Sequence, residues 1–449
     1  MRDARVSKDE AEAFLAANPG VQWIDTFIFD MNGIPRGKRM RRSDLADVVK
    51  NGLLMPSSVF IMDPLGNCVA ETGRLWETGD ADHQCHLLSG TLAPIPVGDG
   101  RHAQAVMVVD GQDELDPRTV LSRQVERFSR AGQTPVAAVE LEFYVTRAAT
   151  NGAFAFHHPE GISADPRRPL TFGFEEIDVL SPFIDDIYRI CEAQGLPVDA
   201  IMKESGPGQF EINLKHRTDA VAAALDGLLL KRAVKAAASA HQLQATFMAK
   251  PHEDWAGSGL HVHLSLLDKS GQNLFAGEPI SPLFCHALGG MCRTMADFMA
   301  VWAQSANAYR RYVPKAYVPM AADWGFNNRT VALRIPRGNG AATRVEHRIA
   351  GADANPCLAI AAILAGISHG IANTINPGPA VDGNSETIDA PSLPTAWVNS
   401  LDLFRRSEVV RDAFGPLFQD VFFRLKHAER SNFERVVTPL DHLWYSRVA

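Results

Sequence analysis

Four short stretches of this chain alternate polar and apolar residues, and the polar members are nearly all metal ligands or anion binders. They are Val139-Glu140-Leu141-Glu142-Phe143, Gln209-Phe210-Glu211-Ile212-Asn213, Leu260-His261-Val262-His263-Leu264-Ser265-Leu266 and Arg344-Val345-Glu346-His347-Arg348. A β-strand sends alternate side chains to opposite faces. If the four pair in one sheet, Glu140, Glu142, Glu211, His261, His263, Arg344, Glu346 and Arg348 share a face. Carboxylates crowded on such a face repel each other unless cations lie between them. The pattern therefore points to a divalent-metal enzyme that handles anionic substrates.

A chain of 449 residues exceeds one ordinary core and suggests about two to three domains. The apolar fraction of 46% is that of a globular protein. A net charge of −8 argues against nucleic acid as the main partner. The exception is the basic run Pro35-Arg36-Gly37-Lys38-Arg39-Met40-Arg41-Arg42, which reads as a solvated hairpin or a subunit contact. Six cysteines show no Cys-x-x-Cys spacing, so reduced thiols in a cytoplasmic protein are expected. Charged residues follow Met1 without an apolar signal core, and no run of about 18 apolar residues would span a membrane.

Ser7 with Glu10 fits a capping box for a helix over 7–17. A strand is expected over 21–30, with a hairpin turn at Asn32-Gly33, then a helix over 42–51 and short strands to about residue 109. Asp116-Pro117 looks like the start of a new helix, which sets a domain boundary near residue 112. Further helices are expected over 118–131, 177–194, 218–241, 281–306, 355–373, 397–404 and 418–434. Asn355-Pro356 offers a cap followed by a proline at the first helical position. Residues 150–170, 268–280 and 376–396 read as surface loops.

Glu140-x-Glu142 sets two carboxylates about 7 Å apart on one strand face, though an acidic pair alone could be an exposed strand. Glu204-Ser205-Gly206-Pro207-Gly208-Gln209-Phe210-Glu211 flanks a Gly-Pro-Gly turn with two glutamates, so the backbone can fold them together. A plain hairpin tip is the bland alternative. His261 and His263 follow a flexible Gly257-Ser258-Gly259 segment on one face. Imidazoles in carboxylate-rich surroundings suit Mg²⁺ or Mn²⁺ better than zinc. Residues 310–348 are dense in arginine, the side chain that grips carboxylate and phosphate through two donors; of these, Arg310 and Arg337 look solvated or structural.

Taken together, six blocks in order resemble the glutamine synthetase family from about residue 20 to the C-terminus. They are Glu140-x-Glu142, Glu204 with Gly208-Gln209-x-Glu211, Lys250-Pro251 with Gly257-Ser258-Gly259-x-His261-x-His263, Asn307-x-Tyr309-x-Arg311, Asn328-Arg329 with Arg334-Ile335-Pro336, and Arg344-x-Glu346-x-Arg348. The resemblance implies an α+β fold: a small N-terminal β-grasp domain over 1–112, and a large α/β catalytic domain over 113–449 whose antiparallel sheet carries the metal site. It also implies a homododecamer of two hexameric rings with sites shared between neighbouring subunits. One metal would be held by Glu140, His261 and Glu346, a second by Glu142, Glu204 and Glu211, with two or three Mg²⁺ or Mn²⁺ per site. Arg311 and Arg348 would grip glutamate, with Gly257 and His261 beside it. Arg329 and Arg334 would be catalytic at the transferred phosphate, and His263, Ser265 and Arg344 would meet ATP.

Departures narrow the substrate. Ammonia-using members carry a flap glutamate where this chain has Tyr317, and an aspartate where it has Met55. Those carboxylates attract ammonium, so their loss leaves an apolar wall that an alkyl amine would prefer. Ala256 stands where such members often have an asparagine that touches glutamate. No tyrosine lies between Tyr317 and Tyr445, so the adenylylated loop tyrosine of many bacterial members is missing. The blocks look most like γ-glutamyl-polyamine (glutamate–putrescine type) ligases. The expectation is ATP-dependent joining of the γ-carboxyl of glutamate to an amine in polyamine or amine catabolism. The alternatives are a glutamine synthetase with an altered ammonium site, or an inactive structural or regulatory oligomer.

Overall fold

The computed structural model describes residues 4–111, 113–147, 158–163, 170–338, 340–388 and 390–448. The first sheet comprises β1 (Trp23–Phe29), β2 (Pro35–Arg41), β3 (Leu53–Pro56), β4 (Asp82–Leu87), β5 (Ala93–Ile95) and β6 (His102–Val109). Its order is β2-β1-β6-β4-β3, with β5 also on β6. The parallel pairing of β1 with β6 at its centre, flanked by the β1–β2 hairpin, is the β-grasp arrangement. Asp30 builds the hairpin turn: its Oδ1 accepts the N–H groups of Asn32 and Ile34, both at 2.9 Å, around Gly33 at a φ of 72°. The basic run is the edge strand β2, where Arg39 pairs with Asp25 at 2.7 Å and Arg36 with Asp30 at 3.0 Å.

The second sheet comprises β7 (Thr134–Arg147), β8 (Val198–Lys203), β9 (Gln209–Leu214), β10 (Leu243–Thr246), β11 (Leu260–Leu267), β12 (Trp324–Phe326), β13 (Leu333–Ile335) and β14 (Val345–His347). Its order is β12-β13-β14-β11-β7-β9-β8, with β10 also on β7. The four alternating stretches are thus the adjacent strands β14, β11, β7 and β9. All neighbours are antiparallel except β12 and β13, which run parallel.

Thirteen helices appear among the described residues. They are α1 (Lys8–Ala17), α2 (Leu45–Asn51), α3 (Pro117–Arg130), α4 (Glu175–Val179), α5 (Ser181–Ala193), α6 (Ala220–Ala240), α7 (Pro282–Thr294), α8 (Met299–Trp302), α9 (Pro356–Ala372), α10 (Trp397–Arg406), α11 (Glu408–Phe414), α12 (Pro416–Glu434) and α13 (Pro439–Tyr445). Only half of the expected capping box forms. The Ser7 hydroxyl accepts the Glu10 N–H, while the Glu10 carboxylate instead receives Ser89 and Gly90. The helix expected over 177–194 is broken at Leu180, because Pro182 restarts the chain as α5. The one expected over 281–306 passes through a 3-10 turn at Ala296–Phe298 before α8. The short helices α11 and α13 escape the periodicity reading. Much of the loop expected over 150–170 lies outside the described residues. All six cysteines are free. Among the described residues no helix is long and apolar enough to cross a membrane.

Val139, Leu141, Val262, Leu264 and Val345 are fully buried on the rear face of the second sheet, where α3 and α6 pack against β7. Behind these lies α9, apolar on every side and almost wholly buried. Its cap, Asn355, joins the two sheets. Its Oδ1 accepts the Cys357 N–H at 2.9 Å, and its Nδ2 donates to the carbonyls of Asp30 at 3.1 Å and Met31 at 3.4 Å. Asn355→Ala removes the cap and both bonds to the first sheet, leaving the Asp30 carbonyl with only the Gly33 N–H, which should cost about 2 kcal/mol. Urea unfolding should show the midpoint fall. A midpoint equal to wild type would show that the two sheets are held by apolar packing alone.

Candidate active site

The strand registers build one polar face. His261 lies opposite Glu140 across β11 and β7, and Glu211 opposite Glu142 across β9 and β7. Glu346 on β14 lies opposite both His263 on β11 and Arg334 on β13. Arg344 and Arg348 flank β14 in the same phase. Glu204 joins them through a tight turn: β8 ends at Lys203, the Glu204 N–H reaches the Gln209 carbonyl at 2.9 Å, and Gly208 takes a φ of 68°. Every residue anticipated as a metal ligand is therefore on, or folded onto, this face.

The contacts are close. His263 Nε2 lies 2.8 Å from Glu140 Oε1, and His261 Nδ1 lies 3.4 Å from Glu140 Oε2 and 3.9 Å from Glu211 Oε2. Arg344 Nε donates to His263 Nδ1 at 3.1 Å, so the Nε2 edge of the ring faces Glu140. Arg334 Nη1 reaches Glu346 Oε2 at 2.7 Å, and Arg348 holds the other oxygen of Glu346. The Gly259 N–H donates to Glu142 Oε2 at 2.7 Å.

Glu211 carries the strain of this crowding. Burial, then the charges of Glu140, Glu142, Glu204 and Glu346, push its carboxyl well above the usual range. Burial and the neighbouring Glu142 push Glu204 up to about 7. Burial also opposes ionisation of Glu140, but its hydrogen bonds to His261 and His263 outweigh it and hold this carboxyl well below the usual range. Glu346 is likewise lowered: burial is overcome by Arg348, His261 and His263.

Two donor groups lie close enough to share an ion, with all ligand atoms within 4.8 Å of one another: Glu140, His263 and Glu346, and Glu140, Glu211 and His261. Glu140 belongs to both. This grouping differs from the division that the resemblance implies, which sets His261 beside Glu346 and joins Glu211 to Glu142 and Glu204. Oxygen-rich donors with two imidazoles and an excess of negative charge fit a hard divalent cation.

Beside this face sits a guanidinium with no acidic partner. Arg311 is 4% exposed and donates Nη1 to the Ile349 carbonyl at 2.8 Å, and no carboxylate among the described residues is within ion-pair reach. The Gly257–Gly259 loop passes directly over it. A Cβ on Gly257 would sit 2.7 Å from Arg311 Cγ, and one on Gly259 would sit 2.8 Å from Arg311 Nη2 and 2.9 Å from His261 Nε2. Only a backbone without side chains fits between that arginine and that histidine. Arg329 is exposed, and its charge acts on Glu204. Ser265 is buried farther along β11.

Met55 lies in the first sheet and Tyr317 in the loop before β12. Met55 is 6% exposed in β3, opposite His83 on β4 and inside the core. Tyr317 is 70% exposed, at a φ of 53°, in a cleft of about 560 Å³ with Val318, Met320, Glu386 and Ile388. Sequence reasoning missed His216. Its ring lies 5.9 Å from His263, and burial, with His263 and Arg344 nearby, lowers it to about 4. It sits two residues beyond β9 and out of phase with Glu211, so alternation could not find it. Asn213 was written in the motif without a role; it lies opposite Glu140 with a buried, unpartnered Oδ1.

A two-sheet α/β fold whose carboxylate–imidazole face can hold divalent cations, beside a buried arginine without an ion-pair partner among the described residues, is that of a ligase of the glutamine synthetase type. The chain belongs to the glutamine synthetase family: residues 114–445 match its catalytic domain. It is 38% identical to gamma-glutamylputrescine synthetase of Escherichia coli, over 97% of this chain and 94% of the relative. It is 31% identical to glutamate–isopropylamine ligase of a Pseudomonas species, over 88% of this chain and 89% of the relative. The solved GmaS–ADP complex superposes with a TM-score of 0.83 at 25% identity, covering 97% of this chain and 99% of the other.

A carboxyl raised by the fold adds stability below its unfolded value, and that contribution is lost as pH rises through its folded value. For Glu204 the window runs from 4.5 to about 7, and Glu211 acts in the same direction. Without divalent cation the protein should therefore lose this contribution across that window. The gain in Tm on adding Mg²⁺ should grow over the same range, and Glu204→Gln should flatten the trend. Melting curves in chelator and in Mg²⁺ at several pH values check this; a cation effect independent of pH would refute it.

Proposed function

We propose that this chain is an ATP-dependent ligase that joins the γ-carboxyl of glutamate to an amine through γ-glutamyl phosphate. The observation that carries the reading is Arg311, a buried guanidinium beside the metal face with no carboxylate in ion-pair reach among the described residues. A buried charge left unpaired is costly, so such an arginine fits an arriving carboxylate. Membership in the glutamine synthetase family and the two amine ligases above support the same reading.

Two or three Mg²⁺ or Mn²⁺ ions would be held by Glu140, His261 and Glu346 and by Glu142, Glu204 and Glu211, and would supply positive charge to the phosphates of ATP. Arg311 and Arg348 hold the carboxylates of glutamate, with Gly257 and His261 against the same ligand. Arg329 and Arg334 face the phosphoryl group in transfer, and His263, Ser265 and Arg344 meet ATP. A γ-carboxylate oxygen attacks the terminal phosphorus and ADP leaves. The amine lone pair then attacks the acyl carbon, phosphate leaves, and the amine gives up a proton. Residues 1–112 and 113–449 are read as the two domains, assembled as a cytoplasmic homododecamer whose sites are shared between subunits.

The amine is favoured over ammonium by what is missing. Tyr317 and Met55 stand where ammonia-using members carry carboxylates, and Tyr317 opens on a cleft with apolar Val318, Met320 and Ile388. Each methylene buried there adds about 0.8 kcal/mol. ATP-dependent phosphate release with glutamate should give a kcat/KM for some primary alkyl amine at least about tenfold above that for ammonium, roughly 1.4 kcal/mol. Tyr317→Glu should narrow that ratio. Met55→Asp is a poor companion variant, since it would bury an unpaired charge in the first core. Ammonium as the best substrate of the wild type would leave the glutamine synthetase alternative standing.

Arg311→Lys should raise the glutamate KM at least about tenfold while the protein stays folded, because lysine cannot supply the planar two-donor fork. An unchanged KM would remove Arg311 from the glutamate site.

A further inference from the structure

Lys203 ends β8 and is 1% exposed. Its ammonium donates to the Glu204 carbonyl and to the Gly206 carbonyl at 2.7 Å, and forms an ion pair with the Glu176 carboxylate at 3.7 Å. Glu176, in α4, is 4% exposed, and its Oε2 also accepts the Gly208 N–H at 2.8 Å. The pair therefore grips the 204–208 turn on both limbs. Glu204 and Glu211 project from the two arms of that turn, and neither Lys203 nor Glu176 is among the metal-donor groups.

The turn needs such a grip. Glu204 repels Glu142 and Glu211; Glu211 is buried and the other two are half-buried. The turn that must resist this force contains Gly206 and Gly208, the residues with the least backbone stiffness. Gly206 has no room to retreat: a Cβ there would meet the Tyr144 hydroxyl, itself bonded to the Ala256 carbonyl. A buried ion pair is weak evidence for stability, since an apolar pair of similar volume often serves the fold as well. This one acts where three carboxylates must be held together.

We propose that Lys203 and Glu176 form a positioning clamp that keeps Glu204 turned toward Glu142 and Glu211, and so presets the second cation seat. The clamp rests on the metal-site reading above. Replacing both partners, Lys203→Met with Glu176→Leu, removes the two charges together and leaves neither buried alone.

The test is Mn²⁺ titration of the full-length protein without substrates, followed by electron paramagnetic resonance of the free ion, alongside thermal melting. In the double variant one class of Mn²⁺ sites should weaken at least about tenfold while the other and the Tm stay close to wild type. Activity should return at saturating Mn²⁺, a rescue that a merely structural defect would not show. Unchanged Mn²⁺ affinities in the folded variant would overturn the clamp, as would equal weakening of both classes. Should the double variant fail to fold, Glu176→Gln keeps the side-chain volume and should give the same selective weakening on a smaller scale; no shift there also overturns it. Wild-type protein that binds no Mn²⁺ would overturn the metal-site reading itself.

Discussion

Mutual repulsion among Glu140, Glu142, Glu204, Glu211 and Glu346 is the force the rest of the structure must contain. In water these groups would move apart. Here they are mostly buried, and two are pushed up far enough to oppose their own ionisation. A sheet can hold Glu140, Glu142, Glu211 and Glu346, because each strand bearing them is hydrogen-bonded on both sides and its alternate residues are buried behind; Glu204 is held by the turn joining β8 to β9. Counterweights are placed against them: Arg334 and Arg348 on Glu346, the imidazoles of His261 and His263 beside Glu140, and Lys203 under the turn of Glu204.

The same logic explains why the arginines divide into two kinds. Arg334, Arg344 and Arg348 already have partners on the face and help shape it. Among the described residues Arg311 bonds to a neutral carbonyl, and two glycines shield it. A protein that buries such a cation gains nothing in stability. In the proposed reaction its value appears when an anion arrives, so it, and not the more conspicuous cluster around Glu346, is the residue on which the substrate reading rests.

Much of this could be read before any coordinates. Period-two alternation in four stretches placed eight side chains on one face, and the strands did pair as neighbours. Caps were legible where a short polar residue preceded a proline, as at Asp116-Pro117 and Asn355-Pro356. What stayed hidden depends on contacts between distant segments. Which histidine faces which glutamate follows from strand register, set by packing on the rear face. His216 lies beyond its strand and out of phase. The clamp was invisible because Lys203 looks like any lysine until its burial is known. Met55 was compared with an aspartate by position in a motif, but its place inside the core depends on the pairing of β3 with β4.

The shared face also limits how the gene can change. Every strand that carries a ligand is read on both sides, acids and imidazoles in front, aliphatic residues behind. Losing or gaining one codon within β7, β9, β11 or β14 would exchange the two sides for the rest of that strand, placing carboxylates in the core and valines at the site. No single substitution could repair it. Length variation among descendants of this chain must therefore collect outside those strands, for example in the turn after β11, where Asp268 organises residues 268–272 by hydrogen bonds of its own. The ligand strands can drift only by replacement, one letter at a time.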